Sequence, residues 1–226
     1  MFGDPHYKTF DGLFYTFKGL GKYQLVSDCH KHSFSVRVVN SYQTRNKTSV
    51  QTKRIWIKAY GMRVILGQKL KVTVNGKKID LPLHKNKLNV TKQEEMLSVM
   101  FDEVKVLWNG KTFLEVTVSS KYRKKLCGLC GNFNGAIQDD LKMRKASVVN
   151  VSRIGKFGTS WCVGRKCELK GHAPVRTCTR NKKMHERKTC DFLNNEDVFG
   201  ECNGVLSYKK YLKACKMDMC DCPSGK

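Results

Sequence analysis

Cys127-Gly128-Leu129-Cys130-Gly131-Asn132-Phe133-Asn134-Gly135, followed shortly by Asp139-Asp140, concentrates two thiols, three glycines, two asparagines and two carboxylates in one short stretch. Each residue type has a use there. The cysteines staple the loop, the glycines admit positive φ, and the Asn and Asp oxygens are hard ligands suited to calcium. The competing reading is architectural, with Asn and Gly shaping turns and Asp capping them.

Upstream of this loop the chain reads as short strands. Phe14 to Phe17, Tyr23 to Val26, Phe34 to Val39, Arg54 to Tyr60, Met62 to Leu66, Leu70 to Val74, Leu97 to Phe101, Val104 to Trp108 and Phe113 to Val118 are rich in β-branched and aromatic residues. Several of these segments alternate apolar with charged side chains. Asn75-Gly76 and Asn109-Gly110 sit between strands as hairpin turn signals, and Asp11-Gly12 marks another turn. The pattern predicts a mainly β fold, an antiparallel two-sheet sandwich-like domain. Downstream, a basic transition surrounds Phe157-Gly-Thr-Ser-Trp161. From Cys178 onward, regularly recurring cysteines and a helix-permissive Ser207 to Cys215 predict a small disulfide-rich α module, stapled because so short a segment buries little apolar surface. The boundary is placed between residues 165 and 166. Trp56, Trp108 and Trp161 read as core or sheet residues.

Eleven cysteines in 226 residues exclude an ordinary cytosolic protein, and ten of them lie from Cys127 onward. Sequons at Asn46, Asn89 and Asn150 fit a secreted, extracellular glycoprotein. The odd cysteine count, with no signal-peptide pattern at the amino end, leads to the expectation of a fragment. No apolar run reaches the roughly 20 residues of a transmembrane helix. The six histidines show no recognised metal spacing with the cysteines. The charge is lopsided, 43 basic against 19 acidic residues for a formal +24. Such self-repulsion suggests an anionic partner. The compartment argues against nucleic acid and favours heparan sulfate proteoglycans, with Arg123, Lys124, Lys125, Arg180, Lys182, Lys183, Arg187 and Lys188 as candidate glycosaminoglycan contacts. Basic residues are dispersed along the sequence, so a patch requires folding to gather them.

Gly3-Asp-Pro-His-Tyr-x-Thr-Phe-Asp-Gly12, Tyr23-Gln-Leu-Val26 near Cys29, the Cys127 to Gly135 stretch with Asp139-Asp140-Leu141, Phe157 to Trp161 and the cysteine-rich tail occur in this order. The arrangement resembles a von Willebrand factor type D domain, residues 1–165, followed by a partial cysteine-eight module, residues 166–226. Asn75-Gly-Lys-Lys78, Lys125 to Cys130 and Cys215 to Pro223 are most similar to the BMP-binding endothelial regulator and crossveinless proteins, secreted modulators of bone morphogenetic protein signalling.

The resemblance implies structural calcium held by Asp11, Asn132, Asn134, Asp139 and Asp140. It implies disulfides Cys29 to Cys127, Cys190 to Cys215 and Cys178 to Cys220, with Cys130, Cys202 and Cys222 paired outside the chain. Type D domains usually carry a cysteine where this chain has Gly21, with its partner near Cys167. That departure leaves two alternatives for Cys162 and Cys167, bonding to each other or both remaining available. In some relatives Gly-Asp-Pro-His is cut between Asp and Pro, which would make Asp4, Pro5 and His6 a self-cleavage site in an otherwise non-enzymatic chain. The functional expectation is a module of a secreted BMP-signalling modulator that binds heparan sulfate, with BMP ligands or BMP-binding proteins engaged through the full-length protein. Alternatives are a mucin-like or clotting-factor-like disulfide assembly module, a lipid-transport protein bearing a type D domain, and an oxidoreductase using Cys127 and Cys130.

Overall fold

Phe34 to Tyr42 shows how the sequence makes its sheets: Phe34, Val36, Val38 and Asn40 are buried while Arg37 and Val39 face outward, the period of two that a pleated strand imposes. A computed structural model describes residues 1–42, 49–145, 147–164, 166–169 and 180–221. The chain divides into two compact units, residues 1–41 with 50–169, and residues 42–49 with 170–226.

In the first unit, β1 (His6–Lys8) and β2 (Phe14–Thr16) form a hairpin. Next come β3 (Gly19–Asp28), β4 (Phe34–Tyr42), β5 (Val50–Ala59), β6 (Met62–Gly67), β7 (Val72–Val74) and β8 (Lys77–Lys78). The succession continues through β9 (Leu83–Lys85), β10 (Leu88–Gln93), β11 (Met96–Phe101), β12 (Val104–Trp108), β13 (Leu114–Val118), β14 (Leu126–Cys127) and, after helix α1 (Ile154–Ser160), β15 (Glu168–Leu169). One antiparallel sheet runs β14-β3-β4-β5-β6-β7-β8, with β15 also pairing β3; the other runs β13-β12-β11-β10-β9. Their inward side chains share one core, including Val36, Val38, Ile55, Ile57, Val64 and Leu66 from the first sheet and Leu88, Val90, Val99, Val106 and Trp108 from the second. Each such fully buried side chain contributes about 1.5–3 kcal/mol. Trp108 is wholly buried and donates its indole N–H to Gly67 O at 3.0 Å, so one polar contact also links the sheets.

Local chemistry moves several expected boundaries. Asn75 and Gly76 both take positive φ, 49° and 85°, as a two-residue type I′ hairpin requires. Asn109-Gly110 does otherwise. Its Asn109 Oδ1 accepts from the amides of Lys111, Thr112 and Phe113, which stabilises a longer loop in which Trp108 pairs with Leu114. The strand expected from Leu70 starts at Val72, because Lys69 and Leu70 turn with φ of 55° and 56°. Strands β9 and β10, which no clear alternation marks in the sequence, pair with each other, and β10 also pairs with β11. Only Leu88 and Val90 of β10 are buried, and its polar remainder hides the alternation.

Helix α1 presents Phe157 and Gly158 to the core. A Cβ on Gly158 would fall 2.2 Å from the Phe17 ring, so glycine is what allows this approach. Trp161 follows, its Nε1 donating to Lys142 O at 3.2 Å while its carbonyl accepts from Gln24 N at 2.9 Å.

The second unit contains α2 (Arg180–Cys190), α3 (Glu196–Val205) and α4 (Lys209–Asp221). Asn195 caps α3 by accepting from Asp197 N at 2.9 Å, with Glu196 and Asp197 favourably placed in the first turn. A disulfide between Cys190 and Cys215 ties α2 to α4, Cys190 being fully buried. The fold is thus mainly β with a small disulfide-rich helical module.

Asp28 governs the turn after β3. Oδ1 accepts from the amides of His30 and Lys31, and Oδ2 from the amide and hydroxyl of Ser33. Burial pushes its pKa up, but these hydrogen bonds to the charged form outweigh burial and hold it down at about 2. A depressed carboxyl stabilises the fold above its unfolded pKa near 3.9, and that contribution fades as pH falls toward 2. Asp28→Asn is expected to lose on the order of 1–2 kcal/mol at neutral pH. Thermal unfolding followed from pH 7 to pH 2 checks this: the gap between the variant and the parent protein should shrink over the lower part of that range.

Candidate metal-binding loop and its cysteines

The glycines of the Cys127 to Asp140 loop are required by close approach. Gly128 has φ 131°, and a Cβ there would sit 2.5 Å from Leu25 O. Its absence lets Leu129 N and Cys130 N donate to Gln24 O and Leu25 O at 3.1 and 3.0 Å, laying the loop on β3. Leu129 is fully buried, and Tyr15 donates its hydroxyl to the Leu129 carbonyl. Gly131 has φ 81°, and a Cβ there would collide with Asp140 Oδ1 at 2.0 Å.

The β1–β2 turn meets this loop from a distant part of the sequence. Asp11 accepts from Asn134 N at 3.0 Å through Oδ2 and from Gly135 N at 2.9 Å through Oδ1. Thr9 donates its hydroxyl to Asp140 Oδ2 at 2.6 Å, and Phe10 N donates to Cys130 O at 3.0 Å. Asp139 Oδ2 accepts from the side-chain amides of Asn132 and Asn134 at 3.0 and 2.8 Å. The five oxygen-bearing residues singled out in the sequence are therefore brought together. Among the described residues no group of three or more His, Cys, Asp or Glu side chains forms a metal-ligating cluster on its own; amide N–H groups carry much of the loop's shape.

Two oxygens nevertheless lack partners. Asp139 Oδ1 and Asp140 Oδ1 are buried and accept no hydrogen bond, an arrangement that costs free energy. Burial raises Asp140 to about 6; the Thr9 hydrogen bond opposes this and the neighbouring charge of Asp11 adds to it. The two loop carboxylates with orphan oxygens, together with Asp11 from the β1–β2 turn and the amide oxygens of Asn132 and Asn134, are the residues that could hold a hard divalent cation.

Cys127 is bonded to Cys29, closing a separation of 98 residues. Cys130 is unbridged, and burial pushes its thiol up to about 12. The Cys127-x-x-Cys130 pair is thus not a vicinal dithiol, and a thiol this reluctant to ionise is a poor nucleophile. Cys162 and Cys167 are bonded to each other. Gly21 lies against this bridge: a Cβ on it would approach Cys167 Sγ to 3.0 Å and Lys166 O to 2.8 Å. Cys202 is a free, exposed thiol, and Cys220 is disulfide-bonded. Cys178 and Cys222 lie outside the described residues.

Asp4 Oδ1 accepts from Val50 N at 2.6 Å, and Lys18 Nζ lies 3.3 Å from Oδ2. His6 Nδ1 contacts Thr16 Oγ1 at 2.8 Å, and both Pro5 and His6 are buried. Asn89 and Asn150 are exposed, whereas Asn46 lies outside the described residues. Of the basic candidates, Arg123, Lys124 and Lys125 are exposed beside the loop, and Lys183, Arg187 and Lys188 are exposed on α2. The side chains of Arg180 and Lys182 lie outside the described part. No helix among the described residues is long and apolar enough to cross a membrane.

A β sandwich pinned by a glycine-rich cystine loop, followed by a cystine-tied helical unit, defines a disulfide-stapled modular architecture. The chain belongs to the von Willebrand factor type D domain family, which it matches over residues 1–147, and it matches the C8 domain over residues 189–226. It is 29% identical to pig zonadhesin over 96% of the chain, 29% identical to bovine von Willebrand factor over 99%, and 30% identical to human mucin-5AC over 100%. It spans only 9%, 24% and 4% of the lengths of those three relatives. These relatives support the type D and C8 arrangement and give no support to the narrower resemblance to BMP regulators.

Proposed function

We propose that the chain is a disulfide-organised assembly module of a secreted protein of the mucin and von Willebrand factor kind. The observation that carries this reading is Cys130: a loop fixed on every side by hydrogen bonds and by the Cys29 to Cys127 bridge holds a thiol with no partner among the described residues. Its depressed reactivity suits a bond made to a second chain during assembly, before the thiol is buried, rather than later exchange. Exposed Cys202 offers a second covalent link from the helical unit. The complete protein should migrate as covalent multimers on non-reducing electrophoresis and collapse to one chain on reduction. Cys202→Ser and Cys130→Ser should each deplete those multimers. A single-chain species without reductant would overturn this reading and favour the growth-factor regulator, for which the Asn75 to Lys78, Lys125 to Cys130 and Cys215 to Pro223 matches speak; that regulator should also bind a bone morphogenetic protein directly.

Calcium held by Asp11, Asn132, Asn134, Asp139 and Asp140 would stabilise the assembly loop. The ion supplies positive charge that lets three carboxylates from two distant segments stay ionised side by side. The chain's residues supply the rest: Thr9 orients Asp140, the amides of Asn134 and Gly135 orient Asp11, and Gly131 leaves room for the Asp140 carboxylate. Isothermal titration with Ca2+ should show one saturable site, and excess chelator should lower the unfolding temperature by several degrees, as loss of about 2–4 kcal/mol of linked binding energy implies. Asp139→Asn with Asp140→Asn should abolish both signals. No heat of binding and no chelator effect would dismiss the ion.

Self-cleavage at Asp4-Pro5 is part of the same proposal. The Asp4 carboxyl must leave Val50 N and Lys18 before it can attack its own carbonyl carbon; attack closes a cyclic anhydride as the Asp4–Pro5 C–N bond breaks and the Pro5 nitrogen takes up a proton, and water then opens the anhydride. Lys18→Gln should accelerate the reaction. Amino-terminal sequencing of the complete protein after incubation at mildly acidic pH should reveal a chain beginning at Pro5. A persistently intact chain under those conditions removes the proposal.

A further inference from the structure

The outer face of the large sheet carries a cluster that no run in the sequence announces. On β4 the buried Val36 and Val38 turn Arg37 outward; on β5 the buried Ile55 and Ile57 turn Trp56 outward, with exposed Lys58 beyond; on β6 the buried Met62 and Val64 turn Arg63 outward. Lys22 of β3 reaches across and places its ammonium 3.5 Å from the centre of the Trp56 ring, while the Arg63 guanidinium lies 5.9 Å from the same centre. Arg144 joins from the following loop, its guanidinium 5.3 Å from the Trp161 ring and bonded to Cys162 O at 2.9 Å.

None of Lys22, Arg37, Lys58, Arg63 and Arg144 forms an ion pair with a carboxylate among the described residues. Lys58 and Arg63 stand directly opposite in the β5–β6 register, a like-charge pairing that destabilises a sheet. Burial lowers the Lys22 pKa, and the charges of Arg37 and Arg63 lower it further; Arg144 is lowered by burial and then by Arg37. A cleft of about 230 Å³ lined by Lys58, Gly61, Met62, Arg63 and Asn75 opens at one end of the cluster. The residues thus repel one another without an internal counter-charge, which is how a surface awaiting an external anion is built.

We propose that this face, from Lys58 and Arg63 through Lys22 and Arg37 to Arg144, is a binding site for a linear sulfated glycan. The cations sit on four neighbouring strands, spanning about 14 Å at the ordinary strand spacing, so a chain bearing repeated anionic groups can meet several at once. A disulfide-rich chain also matches an extracellular polyanion. Single-stranded nucleic acid would use an open aromatic face for base stacking, but the Trp56 ring is already engaged by Lys22 and Arg63. The basic run Arg123 to Lys125 is less suitable. Arg123 lies against Gly135 in the acidic loop, where a Cβ would fall 2.7 Å from its guanidinium, and Lys125 Nζ donates to Lys121 O at 2.6 Å. This inference is independent of covalent assembly and survives or fails without it.

The test is salt-gradient elution from immobilised heparin and titration with a heparin oligosaccharide, using the full chain. Arg37→Gln, Lys58→Ser and Arg63→Ser combined should weaken binding at about 0.15 M salt roughly tenfold or more and lower the salt slope by about 2–3. Arg123→Ser, Lys124→Ser and Lys125→Ser remove the same charge and should weaken it less than about threefold, because long-range fields are screened. The charge-preserving combination Arg37→Lys with Arg63→Lys should retain most of the affinity, and thermal unfolding confirms that each variant folds. Equal losses in the two charge-removing triples would overturn the site in favour of net charge alone. Passage of the parent protein through heparin at physiological salt would overturn glycan binding. Equal affinity for a single-stranded oligonucleotide would overturn the choice of ligand.

Discussion

The hydrogen bond from Thr9 to Asp140, 2.6 Å long and buried, joins residues 131 positions apart. Thr9 also receives the amide of Leu13 on its hydroxyl oxygen, so the same side chain closes the β1–β2 turn and clasps the cystine loop. Asp140 cannot move without exposing Gly131, and Gly131 cannot accept a side chain without displacing Asp140. Nearby, Phe10 stacks obliquely on Phe133 with ring centres 5.5 Å apart, adding apolar contact to a polar junction. The β1–β2 turn and the loop after β14 are thereby joined. Alignment of Asp11 with Asp139 and Asp140 follows from this clasp.

The parts of this architecture that were legible are those where one strand announces itself. Burial alternates along most of β4, β6, β11 and β12, and residue type marks it in part: Ser35, Arg37, Arg63, Ser98 and Lys105 announce the outward face, whereas Val39, Ile65, Met100 and Leu107 share that face without announcing it. The loop was legible for another reason: Gly128, Gly131 and Gly135 all take positive φ, and residue type alone points to that backbone. Strand β10 was hidden because its lysine, glutamine and asparagine side chains belong to an exposed face, leaving two buried residues as signal. The Tyr60-Gly61 turn was also hidden. Tyr60 adopts φ 49°, which a tyrosine does not advertise and which the β5–β6 pairing imposes.

The basic face was invisible for a topological reason. Lys22, Arg37, Lys58 and Arg63 are separated in sequence by strand lengths and come together only because β3, β4, β5 and β6 are consecutive neighbours in the sheet. Basic runs such as Arg123 to Lys125 attract attention in a sequence, yet in the fold Arg123 lies against Gly135 and Lys125 donates to the Lys121 carbonyl. A cysteine departure shows the same dependence on context. Gly21 removes a side chain at the edge of β3, the 162–167 segment closes over the space, and Cys167 bonds locally to Cys162.

Charge in the first unit is sorted in space. Asp139 and Asp140 keep buried oxygens without hydrogen-bond partners, whereas Lys22, Arg37 and Arg63 on the outer sheet face repel one another. Neutralising either cluster internally would have been simple, since Lys121 already pairs with Asp102 and Glu103 on the same unit at 2.6 and 3.0 Å. Among the described residues neither cluster is neutralised by ion pairs with the other. Most of the 43 basic and 19 acidic residues lie outside these two clusters, so it is local placement rather than net charge that distinguishes them: the sheet brings Lys22, Arg37, Lys58 and Arg63 onto neighbouring strands, and the β1–β2 turn brings Asp11 to the loop of Asp139 and Asp140.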